Sequence, residues 1–180
     1  MVDDLRKLNA LLNSLLELAQ LNRDTQIFLS PLRIDELIFS AIQEIKTKYP
    51  GRKILPKIEY SENENDLLIT GNSGLLEIAF KNLIDNACKF SNGDVEVKLS
   101  MEANQLSVSI YDHGIGVPDS EIENIFKPFR RGVNVKYIGG FGIGLSIVAK
   151  IIELHGAKIK VSSTKTEGTC FEIKLNRETS

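Results

Sequence analysis

The sequence predicts an α+β fold: a sheet carrying helices on one of its faces. Three observations carry that expectation. DVEVKLS and QLSVSIY alternate apolar and polar residues with a period of two, as half-buried strands do. The stretches 30–49, 74–90 and 143–155 space their apolar residues three and four apart, as amphipathic helices do. The two kinds are interleaved along 180 residues that are 42% hydrophobic and 26% charged, enough for one sizeable core.

The first stretch, MVDDLRKLNALLNSLLELAQLN, reads as a helix. Leu5, Leu8, Leu12, Leu15 and Ala19 keep the alternating spacing of a coiled-coil or bundle seam. Leu11, Leu16 and Leu18 widen that stripe, so the helix needs a partner helix, from a missing segment or from a second chain. After the polar break at Arg23–Asp24, TQIFL reads as a short strand, and Ser30-Pro31 as the N-cap and first position of a helix. That helix stops at Pro50-Gly51. KILPKIEY and DLLIT are short strands on either side of the acidic turn SENEND. A long helix follows from about Gly74 to Phe90, with Leu76, Phe80, Leu83, Ile84 and Ala87 on its core face. MEAN is the expected hairpin turn between the two alternating strands. Residues 112–140, rich in glycine and basic residues and broken by proline, are expected to form a long functional loop. A helix over Ile143–His155 ends at Gly156, and AKIKVSS and GTCFEIKL supply the last strands.

Composition excludes several classes. A net charge of −2 gives no reason to expect nucleic acid as a partner. No apolar run approaches the ~20 residues of a membrane span, and no signal peptide opens the chain. Cys88 and Cys170, far apart and without a partner motif, read as packing residues suited to a reducing cytosol. With His113 and His155 they give no zinc spacing. His155 is expected to make a favourable dipole contact at its helix end. Neither GxSxG nor HExxH is present.

Four stretches carry candidate chemistry. In NLIDNACKF, Asn82, Asn86 and Lys89 lie at i, i+4 and i+7, on a stripe turned away from the core face. Asn is a poor mid-helix residue, so the stripe is either a metal-phosphate site, with amide oxygens for Mg²⁺ and an ammonium for phosphate, or a solvated face. In YDHGIG, Asp112 ends a strand just ahead of Gly114 and Gly116. Its carboxylate suits an exocyclic amino group such as adenine's, and the alternative is an ordinary Asp-Gly turn. In IFKPFRRG, Phe126 and Phe129 precede Arg130 and Arg131, either a pinned loop that delivers an arginine to a phosphate or a basic surface loop. GGFGIGL is dense in glycine before a helix, yet it fails the P-loop pattern because Leu145 stands where the lysine must be.

The order NLIDNACKF, DHGIG, IFKPF, GFGIGLSIV, GTCFEIKL resembles the N, G1, F, G2 and G3 boxes of sensor histidine kinases. These are the catalytic ATP-binding domains of two-component systems, in the superfamily of DNA gyrase, the ninety-kilodalton heat-shock chaperone and the mismatch-repair ATPases. The resemblance spans roughly residues 26 to 175. It implies a two-layer α/β sandwich of the Bergerat type: a mixed sheet, three helices on one face and a flexible ATP lid, with one long helix ahead of it. It implies that residues 1–24 are the end of a dimerisation and phosphoacceptor hairpin, and 25–180 the catalytic domain. ATP and Mg²⁺ are the implied cofactors. By the same resemblance Asn86 is the Mg²⁺ ligand, Asn82 a polar phosphate contact, Lys89 the phosphate lysine and Asp112 the adenine-reading aspartate. Gly114, Gly116, Phe126, Phe129, Gly140, Gly142, Gly144 and Leu145 belong to the nucleotide site, and Arg131 is the arginine after the F box. The superfamily's hydrolases carry glutamate where Asn82 stands, and Asn cannot act as a general base. Slow hydrolysis and transfer to a histidine are therefore implied, followed by relay to a response-regulator receiver domain, from a homodimeric and cytoplasmic or membrane-anchored parent kinase. The phosphoacceptor box itself is absent from the chain, while Lys127 and His113 depart from the usual F and G1 residues. A non-catalytic nucleotide-binding module, and an ATP hydrolase, are the other readings.

Overall fold

The computed structural model describes residues 27–59, 64–102, 104–130, 140–164 and 166–177, and residues 9, 11–13, 15, 16, 19 and 21 ahead of them. Its elements in chain order are β1 (Ser30–Arg33), α1 (Ile34–Lys48), β2 (Ile54–Ile58), a 3-10 turn (Glu64–Leu67), β3 (Leu68–Gly71) and α2 (Ser73–Phe90). Then follow β4 (Val95–Glu102), β5 (Gln105–Asp112), the short α3 (Asp119–Ile122), α4 (Gly144–Leu154), β6 (Lys158–Thr164) and β7 (Gly168–Asn176). Among these elements, no helix is long and apolar enough to cross a membrane.

Five strands form one mixed sheet in the order β2-β4-β5-β7-β6. β2 runs parallel to β4, and the other pairs are antiparallel. The register lines up apolar rows across it: Leu99, Val108, Ile173 and Ile159 in one, Val97, Ile110, Phe171 and Val161 in the next. The opposite face carries Glu96, Lys98, Ser109, Glu172 and Lys160, so only one face has apolar surface to cover. Three helices, α1, α2 and α4, cover it. The five residues expected on the core face of α2 are all buried, beside Ile38, Ala41, Ile42 and Ile45 of α1 and Ile147, Val148, Ile151 and Ile152 of α4. The two-layer architecture implied by the resemblance is thus the one observed.

α1 and α2 run in the same direction, clasped once per turn along their outer edge. Ser40 Oγ donates to Glu77 Oε1 (2.7 Å), Lys81 Nζ to Glu44 Oε2 (2.9 Å) and Lys48 Nζ to Asp85 Oδ1 (2.6 Å). Each helix advances four residues per rung, the spacing that returns a side chain to the same face.

Three sequence expectations need correction. Ser30 is not a helix N-cap. SPLR pairs antiparallel with β3, Ser30 opposite Gly71, and residues 27–29 are irregular. Pro31, which has no N–H, is tolerated because β1 is an edge strand, paired on one side only. The helix instead starts at Ile34 behind an extended Arg33, with Asp35 and Glu36 in its first turn to meet the dipole. MEAN is not all turn: β4 continues to Glu102, whose backbone pairs with Gln105. His155 is the third and is described with the site.

Within the leading stretch, the described residues are helical. Leu21 is buried with the core and Leu11 packs against it, whereas Leu12, Leu15 and Leu16 are exposed. Leu5, Leu8 and Leu18 lie outside the described residues.

Candidate functional site

The apolar rows of the sheet end in a polar one. Val95, Asp112, Thr169 and Ser163 face each other across β4, β5, β7 and β6. Asp112 is 4% exposed, and its Oδ1 accepts the Gly114 N–H (2.8 Å). Burial raises its pKa from 3.8 to about 6, although the backbone N–H groups of Gly114 and Thr169 and the nearby His113 partly oppose that. Glycine is required at two places around it. A Cβ on Gly114 would lie 2.3 Å from the Phe90 carbonyl oxygen, and one on Gly168, where φ is +94°, 1.9 Å from that of Asp112.

Asp112 opens into a cleft of about 510 Å³ between α2, the 112–130 segment and the start of α4. Asn82, Asn86 and Lys89 line it from α2, so their shared stripe is the wall of a site. Asn82 is fixed: its Nδ2 donates to the Ile78 carbonyl (3.0 Å), and its Oδ1 lies where a Cβ on Gly144 would come within 2.6 Å. Asn86 lines the cleft and, among the described residues, has no side-chain hydrogen-bond partner, so its carboxamide is available to a hard cation.

Facing Asn82 is the N-terminus of α4, which has no side-chain cap. Its unpaired N–H groups and dipole favour an anion. Gly140, Gly142, Gly144 and Leu145 lead into it, and all four line the cleft. Gly142, with φ of +72°, packs a would-be Cβ position 2.6 Å from the Arg130 carbonyl, and its own carbonyl accepts the Phe129 N–H (2.8 Å). Phe129–Arg130 and Gly142 are therefore joined at the foot of segment 131–139.

The cleft gathers Asn82, Asn86, Lys89, Asp112, Gly116, Gly140, Gly142, Gly144 and Leu145 from the sequence-predicted set, and Gly114 braces Asp112 from behind. Two others stand apart. Phe126 packs edge-on against Phe171, centroids 6.4 Å apart, behind the cleft wall. Phe129 is 60% exposed in a left-handed backbone conformation (φ 61°) and does not line the cleft. Arg131 lies outside the described residues; its neighbour Arg130 lines the cleft.

Sequence reasoning missed Lys48, Asp85 and Thr169, all cleft residues, and favoured Arg131 over Arg130 of the basic pair it had singled out. Asp85 is half-buried and accepts from Lys48 Nζ on Oδ1 and pairs with Lys89 Nζ through Oδ2, while the Tyr49 hydroxyl donates to Oδ1 (2.9 Å). Burial opposes its charge, but hydrogen bonds from Lys48 and Lys89 outweigh it and hold the carboxyl below its ordinary value. The same surroundings, burial first and then the Asp85 charge, push the Tyr49 hydroxyl well up. Arg130 was signalled by the Arg130–Arg131 pair. Lys48 has no sequence signal, because only the register of α1 on α2 brings it here.

His155 meets its helix end as a neutral hydrogen-bond donor rather than as a charge on the dipole, and it is also a tether. Its Nε2 accepts the Asn72 N–H (2.9 Å) and its Nδ1–H donates to the Ile151 carbonyl (2.7 Å). Burial lowers its pKa, with the Ile151 bond opposing. It ties the C-terminal end of α4 to Asn72, the N-cap of α2, whose Oδ1 accepts the Leu75 N–H (3.0 Å). Glu77, the carboxylate nearest Asn82 in the preceding turn, is committed to Ser40 on the α1 side.

Comparison with known proteins agrees with this geometry. The chain is 29% identical over 172 residues to the sensor protein KdpD of Escherichia coli, covering 94% of this chain and 19% of that protein. It is 31% identical over 177 residues to the signal transduction histidine-protein kinase ArlS of Staphylococcus aureus, covering 96% of this chain and 38% of that protein. It therefore spans well under half the length of these curated relatives. Among solved structures, the mycobacterial sensor histidine kinase MprB superposes with a TM-score of 0.71 at 24% identity, over 83% of this chain and 97% of that one. Full-length ShkA, solved in complex with AMPPNP, superposes with a TM-score of 0.80 at 23% identity, over 96% of this chain and 37% of that one. At these identities the superpositions speak for the fold. Residues 71–179, which carry α2, the Asp112 row and α4, match the family profile described as histidine kinase-, DNA gyrase B-, and HSP90-like ATPase, and the chain belongs to that family.

Proposed function

We propose that this chain binds Mg²⁺-ATP and transfers the γ-phosphoryl group to a histidine on a dimerisation helix outside it, for relay to a response-regulator receiver domain. In this reading residues 1–24 belong to the dimerisation hairpin and 25–180 form the catalytic domain. The observation that carries it is the pairing, in one cleft, of a buried carboxylate with an uncapped helix N-terminus and an Asn-Asn-Lys wall. Asp112 accepts from the exocyclic amine of adenine, and the apolar Ile115 and Phe171 flank the ring. The triphosphate lies toward Lys89 and the α4 N-terminus. Asn86 would hold Mg²⁺, which supplies charge neutralisation on the phosphate oxygens.

What separates transfer from hydrolysis is Asn82. Its amide is tied to Ile78 and cannot take a proton from water, and Glu77 points to the other side of the helix. An imidazole nitrogen needs no such base. The unprotonated nitrogen of a neutral imidazole attacks the γ-phosphorus, a P–N bond forms, the bond to the β–γ bridging oxygen breaks and ADP leaves, while the proton on the other ring nitrogen passes to solvent. The protein's part is positioning and charge.

The test uses the chain as it stands. Titration calorimetry should detect ATP binding that depends on Mg²⁺ and is lost in Asp112→Ala, with little steady-state hydrolysis. Adding a hairpin fragment that carries a phosphoacceptor histidine, with γ-labelled ATP, should place label on that fragment. Rapid hydrolysis by the chain alone would overturn the distinction drawn at Asn82. Tight binding without transfer would make this a non-catalytic nucleotide module.

A further inference from the structure

The α1–α2 ladder has three rungs of similar chemistry, and one of them differs in where it stands. Ser40–Glu77 and Glu44–Lys81 face solvent and serve as interhelical struts. The third rung, Lys48–Asp85, lies on the cleft wall. There Lys48 and Lys89 hold the two oxygens of one carboxylate, so both ammonium groups lie within reach of the same point. Two cations on one anion leave a positive charge unmatched within this trio. Lys48 is the last residue of α1, and its ammonium also lies 5.5 Å from the centroid of the Tyr49 ring, whose hydroxyl is bound to Asp85. A flexible lysine is thus held in place at low entropy cost before any ligand arrives.

We propose that Lys48 is a second polyphosphate-binding cation, supplied from outside the motif-bearing helix, with Asp85 as the positioning residue that holds Lys48 and Lys89 over the phosphate end of the cleft. This rests on the reading of the cleft as an ATP site, and it adds a residue outside the 71–179 stretch that matches the family. A triphosphate carries more charge than one lysine neutralises, and an ammonium meets phosphate as a point charge without demanding a fixed geometry. When the phosphates enter, the ammonium groups turn from Asp85 to them, and the carboxylate keeps the pair together.

The test compares ATP with adenosine, in the presence of Mg²⁺, by titration calorimetry on the intact chain. Lys48→Gln should weaken ATP binding roughly tenfold, the loss of one charge-assisted contact, and leave adenosine binding unchanged. Lys48→Arg, which keeps the charge, should retain most of the ATP affinity. Lys81→Gln, the same change one rung away from the cleft, should alter neither ligand. The proposal is overturned if Lys48→Gln binds ATP like the wild type, if it loses adenosine to the same extent, or if Lys48→Arg loses ATP as fully as the glutamine variant. A wild-type chain that binds adenosine and ATP equally would overturn the ATP-site reading itself, a result distinct from any of these.

Discussion

At the scale of single residues, burial makes the Asp112 carboxylate costly to ionise. Its carboxyl ionises at about 6 when folded, against an ordinary 3.8, so the folded state holds the proton more tightly than the unfolded chain. At pH 7 the charge therefore costs stability, and this group's contribution improves as the pH falls through about 6 toward 4. Asp112→Asn should raise the melting temperature at pH 7, by the few degrees that correspond to about 1–2 kcal/mol, and weaken ATP binding at least tenfold. ATP affinity of the wild type should decline as the pH drops through about 6, where the acceptor becomes protonated; a flat profile between pH 5 and 7.5 would contradict the assignment. Gly168 presents the opposite case. Its backbone is left-handed and its α-carbon abuts the Asp112 carbonyl, so Gly168→Ala should destabilise by about 2–4 kcal/mol and displace Asp112 at once, seen as a lowered denaturation midpoint with loss of ATP binding. Asp112 was legible in the sequence as a strand-ending acid before glycines. Its burial was not, because that depends on Thr169 arriving opposite it from β7.

At the scale of elements, period and spacing predicted most of the pieces. They could not predict how the pieces meet. α2, α4 and the four long alternating strands announce themselves because their apolar periodicity matches the face they bury. Ser30-Pro31 misled because its local helix-start chemistry lost to pairing with β3 (Leu68–Gly71), which is distant in sequence. His155 misled for the same reason, since its partner Asn72 is distant in sequence. That contact predicts a pH dependence. The folded imidazole, accepting on Nε2, resists protonation relative to the unfolded one, so stability from this tether is full above about 6.5 and falls as the pH drops below it. Urea midpoints measured from pH 7.5 to 5 should show a downward slope in the wild type relative to His155→Gln, which keeps an acceptor but cannot titrate. Comparing the difference between the two proteins removes the opposing contribution of Asp112. The ladder on the outer edge gives a smaller effect: a double-mutant cycle on Glu44 and Lys81 should return a coupling of only about 0.3–0.5 kcal/mol, as exposed pairs do.

At the scale of the molecule, the N-terminal helical stretch is divided between two duties. Leu21 is buried in the core and Leu11 packs against it, so that side of the helix belongs to the sandwich. Leu12, Leu15 and Leu16 present 36–54% of their surface to solvent, more apolar area than a short surface helix leaves uncovered without a reason. The stripe reads in the sequence as a bundle seam that needs a partner, and among the described residues these three leucines remain exposed. Removing the exposed leucines should therefore separate association from nucleotide binding. A Leu12→Glu, Leu16→Glu double variant should sediment as a monomer at concentrations where the wild type self-associates, and bind Mg²⁺-ATP with unchanged affinity. Leu21→Glu should instead lower the melting temperature and, through the shared core, weaken ATP binding as well. If the exposed pair disturbed ATP binding as much as the buried leucine, the stripe would be part of the catalytic body. A wild type that remained monomeric at every concentration would leave the leucines to a helix from a preceding segment or from another chain.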